Sequence, residues 1–154
     1  MFNHSLTKIG VASLFAGLFL VLPGGAASAL ARPGNVLGHY TRTMTQADLT
    51  RAHDTHGPCS TCVQPPVGRW GMTISPGRLS MSAPDGGHFQ LKVSLTASTL
   101  TALAGNYCPS SQGLLLRPAG RYRVARKGSV LTITALADPC QDRHAILVGT
   151  WRSS

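Results

Sequence analysis

Residues 88 to 96, HFQLKVSLT, alternate without a break. Phe89, Leu91, Val93 and Leu95 fall on one side, and His88, Gln90, Lys92, Ser94 and Thr96 on the other. A period of two is that of a half-buried β-strand. Its neighbours repeat the pattern, which is why this stretch decides the fold. Upstream, PDGG at 84 to 87 is a strong turn. RLSMS places Leu79 and Met81 on one face, Pro76 and Gly77 turn the chain, and RWGMTIS places Trp70, Met72 and Ile74 on one face. Downstream, LAGNYC (103 to 108) and GLLLR (113 to 117) are weaker strand candidates. GRYRVAR carries Tyr122 and Val124 inward, KGS at 127 to 129 is a hairpin turn, and VLTITAL carries Leu131, Ile133 and Ala135 on one face. DPCQDRH is a connector with room for a helical turn, and AILVGTWR (145 to 152) reads as the last strand. About eight short strands at this spacing predict a sandwich or a barrel. No helix is long enough to cover a sheet, so the sheet has to bury itself.

Residues before 67 read differently. HYTRTMT (39 to 45) is a short β segment outside the barrel, and TQADLTRAH (45 to 53) a short helix. Thr45 suits its N-cap, Asp48 its first turn, and Arg51 and His53 its last turn. Further upstream, Lys8 precedes an uncharged apolar run at 9 to 22, followed by Pro23, Gly24, Gly25 and the small residues Ala27, Ser28 and Ala29. Basic, apolar, then small is the pattern of a secretory signal. The run is shorter than the roughly 20 residues that span a bilayer. The expected organisation is a signal peptide at 1–29, a leader with short helix and Cys-containing loop at 30–66, and a barrel at 67–154. The location is secreted or extracytoplasmic, after cleavage near Ala29.

The chain has no Glu, and its five acids are Asp48, Asp54, Asp85, Asp138 and Asp142. Fourteen bases, eleven of them Arg, oppose them, and the net charge is +9. A basic exported protein is drawn to anionic envelope polymers. The bases are scattered apart from Arg121, Arg123, Arg126 and Lys127, and with export this excludes nucleic acid as the partner.

HDTHGPCSTC, residues 53 to 62, sets His53, His56, Cys59 and Cys62 within ten positions. Zinc takes these ligand types, but structural sites usually draw ligand pairs from separate elements. Export favours oxidised Cys, and four Cys allow three connectivities. A redox Cys-x-x-Cys needs a helix N-terminus, whereas this one follows a helix. The preferred reading is a tight local Cys59–Cys62 disulfide with both His exposed and no metal. No Gly-x-Ser-x-Gly is present, and the Asp residues lie in turns or connectors, so no catalytic residues or cofactor are expected.

Gly68-Arg69-Trp70 at the start of RWGMTIS resembles the Gly-x-Trp signature of lipocalin-type barrels. The order of Gly120, Tyr122, Leu131, Ile133, Asp138, Cys140, Arg143 and Trp151 is similar to that of small exported bacterial proteins with lipocalin-like barrels, mostly of uncharacterised function. The resemblance covers about residues 67 to 154 and implies an all-β, antiparallel, lipocalin-like barrel. It implies closure by Gly68, Trp70 and Trp151, with Arg143 or Arg152 packed across the indole. It places Cys108 at a strand end and Cys140 in the connector; a bond between them would stabilise the fold by ~3.7 kcal/mol on the chain-entropy model. The expected function is binding of a small apolar or amphipathic ligand by a monomer, with Trp70, Met72, Phe89, Leu91, Tyr122 and Leu131 as wall residues.

Overall fold

The structure is a computed structural model, described over residues 36–57, 64–104 and 119–154. The signal segment, Cys59, Cys62, Cys108 and the GLLLR strand candidate lie outside the described residues, as does most of LAGNYC. Eight antiparallel strands form a closed barrel in chain order. They are β1 (Gly38–Met44), β2 (Gly68–Ser75), β3 (Arg78–Ser82), β4 (His88–Leu95), β5 (Thr99–Ala102), β6 (Gly120–Lys127), β7 (Val130–Ala137) and β8 (Gly149–Ser153). Helix α1 (Gln46–His56) joins β1 to β2, and α2 (Gln141–Leu147) joins β7 to β8.

The alternation seen in the sequence becomes the inside of the barrel. Ile74, Leu79, Met81, Leu91, Leu100, Val124, Leu131 and Ile133 are all buried. Burying each such side chain contributes about 1.5–3 kcal/mol, before conformational entropy is counted. Phe89 and Leu95 share the inward face of β4 but lie near its ends and are only partly buried. Met81 pairs with Phe89, and Leu79 with Leu91, so the inward residues of β3 and β4 meet in register.

Three expectations are corrected. First, the barrel does not begin at 67. β1 pairs with β2 from Gly38↔Ile74 to Met44↔Gly68, and with β8 at Tyr40↔Ser153 and Thr41↔Arg152. The helix therefore follows the first barrel strand rather than preceding the barrel. The inward residues of β1 are Tyr40, Arg42 and Met44, and the central arginine hides the apolar alternation. Second, β5 (TLTA) was not read as a strand; four residues carry too few alternations to register. Third, AILVGTWR is not one strand. Ala145, Ile146 and Leu147 complete α2, every residue of which from Asp142 to Leu147 is buried, and β8 starts only at Gly149.

Thr45 caps α1 as expected. Its hydroxyl accepts from the Asp48 backbone, and the Asp48 carboxylate accepts from the Thr45 backbone at 2.8 Å. This reciprocal box satisfies two backbone donors that a helix start leaves open.

Candidate functional site

The strand directions sort the connections between two ends of the barrel. One end holds the short connections at 76–77, 96–98 and 128–129. The other holds α1, the turn at 83–87, α2, and both described ends of the β5–β6 connection. Every acidic residue of the chain is at this second end, on α1, in the 83–87 turn, or in the β7–β8 connection.

Two buried arginines organise it. Arg143 grips Asp138 through both forks: Nε donates to Oδ2 at 2.8 Å and Nη2 to Oδ1 at 2.5 Å. The side chains are 2% and 0% exposed. Asp138 Oδ1 also accepts from the Cys140 backbone at 2.8 Å, so one carboxylate fixes both the entry to α2 and its third residue. Gly120 backs this pair. A Cβ there would sit 2.8 Å from the Asp138 carboxyl carbon and 2.9 Å from Arg143 Nη2, so the position excludes any side chain.

Arg42, from β1, points inward and bonds Asp48 of α1 at 3.2 Å. It donates to the Ile146 carbonyl at 3.4 Å and to the Val148 carbonyl, filling acceptors at the end of α2. Its guanidinium lies 5.5 Å from the Trp151 ring centre, in cation–π range. Burial pulls its pKa below the ordinary arginine value, and the Asp48 charge opposes this. For Asp48, burial pushes upward, but hydrogen bonds from Thr45 and the charge of Arg42 outweigh it and leave the carboxyl below its ordinary value. The arginine over an indole is thus on the first strand and the indole on the last. Arg152 is exposed and does not play the closing part the resemblance implied, while Arg143 is bound to Asp138. Gly68 opens β2 beside Pro84, and Trp70 donates its indole N–H to the Pro66 carbonyl at 2.9 Å.

α1 and α2 also meet through a histidine pair. His56 Nε2 and His144 Nδ1 are 2.9 Å apart with the rings edge to face. One ring has to donate to the other. Burial holds the His144 pKa below the usual histidine value; His56 lowers it further, while Asp138 opposes. His53, by contrast, is about half exposed and lies 3.7 Å from Asp54. The structure therefore turns His56 toward α2 rather than toward His53. Among the described residues no group of three or more His, Cys, Asp or Glu is placed to hold a metal.

Between the 64–66 segment, the 83–87 turn, β4 and α2 lies a cavity of about 430 Å³. Trp70, Phe89, Leu91, Ile146, Pro65 and Pro66 supply apolar wall; Gln64, Asp85, His88 and Asp142 supply polar groups. Trp70 and Phe89 stand edge to face with ring centres 6.2 Å apart. Small-molecule sites of about 300–1,000 Å³ occur at barrel mouths, so the cavity is at the small end of that range. Of the expected wall residues, Trp70, Phe89 and Leu91 line it, whereas Met72, Tyr122 and Leu131 do not. Tyr122 and Leu131 are fully buried core, and the Tyr122 hydroxyl has no hydrogen-bond partner among the described residues. Gln64, Pro65, Pro66 and Ile146 were missed, because they come from elements outside the alternating strands. Arg42 and His144 were missed as well; a lone charge at an inward strand position was the only sign of the first.

Cys140, the one cysteine among the described residues, is fully buried, and no free cysteine is found among them. Compared with known proteins, the chain matches no family model, no curated protein and no solved structure.

Proposed function

We propose that the protein is an exported, lipocalin-like binding protein that holds a small amphipathic molecule at the helix-bearing mouth of its barrel. The carrying observation is the cavity of about 430 Å³, with Phe89 only partly buried beside Trp70. A partly buried aromatic at a strand end offers a ligand apolar surface that the core does not use. The ligand's apolar body rests on Trp70, Phe89, Leu91 and Ile146, and its polar tip lies toward Gln64, Asp85 and His88. The site is at the mouth, not along the barrel axis, where Leu100, Tyr122 and Leu131 fill the interior. Export rests on the N-terminal pattern of base, apolar run and small residues. The disulfides of this reading are Cys108–Cys140 and Cys59–Cys62. The burial of Cys140 without a free thiol supports a bonded cysteine at that position.

The test is intact mass under native conditions, for the protein purified from its expression host and for Phe89→Arg. The reading expects an organic adduct on the wild type that the variant lacks, with unchanged circular dichroism. A variant that keeps the adduct, or a wild type that takes up no amphipathic compound from a panel, overturns it. The denatured mass checks the disulfides: two bonds lower it by about 4 Da.

A further inference from the structure

We propose that the outer face of β8, β1 and β2 docks a phosphate-bearing polymer that lacks aromatic bases. The proposal is independent of the mouth cavity and rests on outward-facing residues of these three strands.

The strands carry nine bases: Arg42, Arg69, Arg78, Lys92, Arg121, Arg123, Arg126, Lys127 and Arg152. They carry no acid. Arg42 and Arg126 fall on the inward face, Arg42 bound to Asp48 and Arg126 over the Tyr40 ring, so the outer wall is left with the other seven bases and no acid. Arg78 lies directly opposite Lys92 across β3 and β4. Like charges facing each other across strands repel, and a bound anion would relieve that repulsion.

One part of the wall is shaped. Thr43 of β1 is opposite Arg69 of β2, and Thr41 is opposite Arg152 of β8. Thr41, Thr43, Arg69, Thr150 and Arg152 border a groove of about 330 Å³. Two interstrand spacings put the backbones of β2 and β8 about 10 Å apart, within reach of two arginines converging on one group. Neither Arg69 nor Arg152 has a hydrogen-bond or ion-pair partner among the described residues. A guanidinium fork matches phosphate oxygens, and the threonine hydroxyls add further donors.

The partner's form follows from where the other bases lie. They continue around the barrel on β3, β4 and β6, so a flat bilayer touches only a fraction of them, while a flexible chain can follow the wall. Binding of single-stranded nucleic acid relies on aromatic platforms for the bases. Tyr40, Trp70, Tyr122 and Trp151 all point inward and are buried, which leaves no such platform on the outer face of these strands. A base-free phosphate polymer is what remains.

The experiment measures affinity of the full chain for inorganic polyphosphate across a salt series. It compares Arg69→Gln/Arg152→Gln with Arg121→Gln/Arg123→Gln, which removes the same charge elsewhere. The groove variant is expected to bind at least about tenfold more weakly, with the log–log salt slope reduced by about two. The control variant is expected to lose less than about threefold. Equal losses in both variants overturn the groove. Tighter binding to single-stranded DNA of equal charge overturns a base-free partner, and capture by phosphatidylglycerol vesicles without polyphosphate binding overturns a polymer. Thermal melts of both variants, expected to match the wild type, confirm that the exposed substitutions leave the fold intact.

Discussion

The two ends of this barrel are built from different materials. At one end, turns of two or three residues join neighbouring strands, and each is set by local chemistry such as Pro76-Gly77 or Lys127-Gly128-Ser129. At the other, two helices are held against the barrel by arginines more than nine-tenths buried. Local turn geometry needs no partner. A buried ion pair does, because taking charges out of water costs several kcal/mol, recovered only if the geometry is good. Such pairs fix where the helices sit, and α2 then supplies a wall of the cavity. One end joins strands by local turns, while the other walls a cavity.

If this division holds, substitutions at the two ends differ in size. Arg143→Ala, which leaves Asp138 buried and uncompensated, is expected to cost about 3–5 kcal/mol in urea unfolding. A loss under about 1 kcal/mol would show that the pair does not hold α2. Arg42→Ala strips partners from Asp48 and two carbonyls, for an expected loss of about 2–3 kcal/mol. At the tight end, Gly77→Ala places a side chain at φ +73 with nothing within 4 Å, so only backbone strain is felt. That costs about 1–2 kcal/mol. A larger loss there than at Arg42 would invert the comparison.

The smallest effect concerns pH. Because the His144 pKa is lowered in the folded protein, the unfolded chain binds the proton more readily. This contribution to stability is full above the ordinary histidine value of about 6.5 and is lost as the pH falls through the folded value. The neighbouring groups that share this field are His56, Asp138, Asp48 and Arg51. Urea midpoints from pH 7.5 down to 5 are expected to drop less steeply in His144→Gln than in the wild type. Parallel slopes would remove His144 as the cause.

β2, β4 and β7 were legible because each carries several apolar inward positions in succession. β1 was legible as a β segment but not as part of the barrel, and β5 was too short to register. Arg42 broke the pattern of β1, and its function depends on α2, more than a hundred residues away. AILV reads equally well as strand or as buried helix, and only packing against the barrel mouth decides between them. The cavity was half legible for a related reason. Alternation says whether a residue faces in, but not how deep it lies along the barrel. Trp70 and Phe89 reach the mouth, while Tyr122 and Leu131 obey the same period and end in the core. The remaining wall, from Gln64 to Pro66 and on α2, comes from segments whose position no local pattern encodes.

The two tryptophans permit the most direct test of the mouth as the binding site. Trp70 lines the cavity, whereas Trp151 is fully buried beneath Arg42 with its indole N–H on the Leu147 carbonyl at 3.0 Å. The measurement is a titration of the ¹⁵N-labelled protein with anilinonaphthalene sulfonate, an amphipathic probe, following the two indole N–H signals. The account predicts a saturable shift of the Trp70 signal, an unmoved Trp151 signal, and loss of the response in Phe89→Arg. Movement of Trp151 with Trp70 unchanged, or an undiminished response in Phe89→Arg, would contradict it.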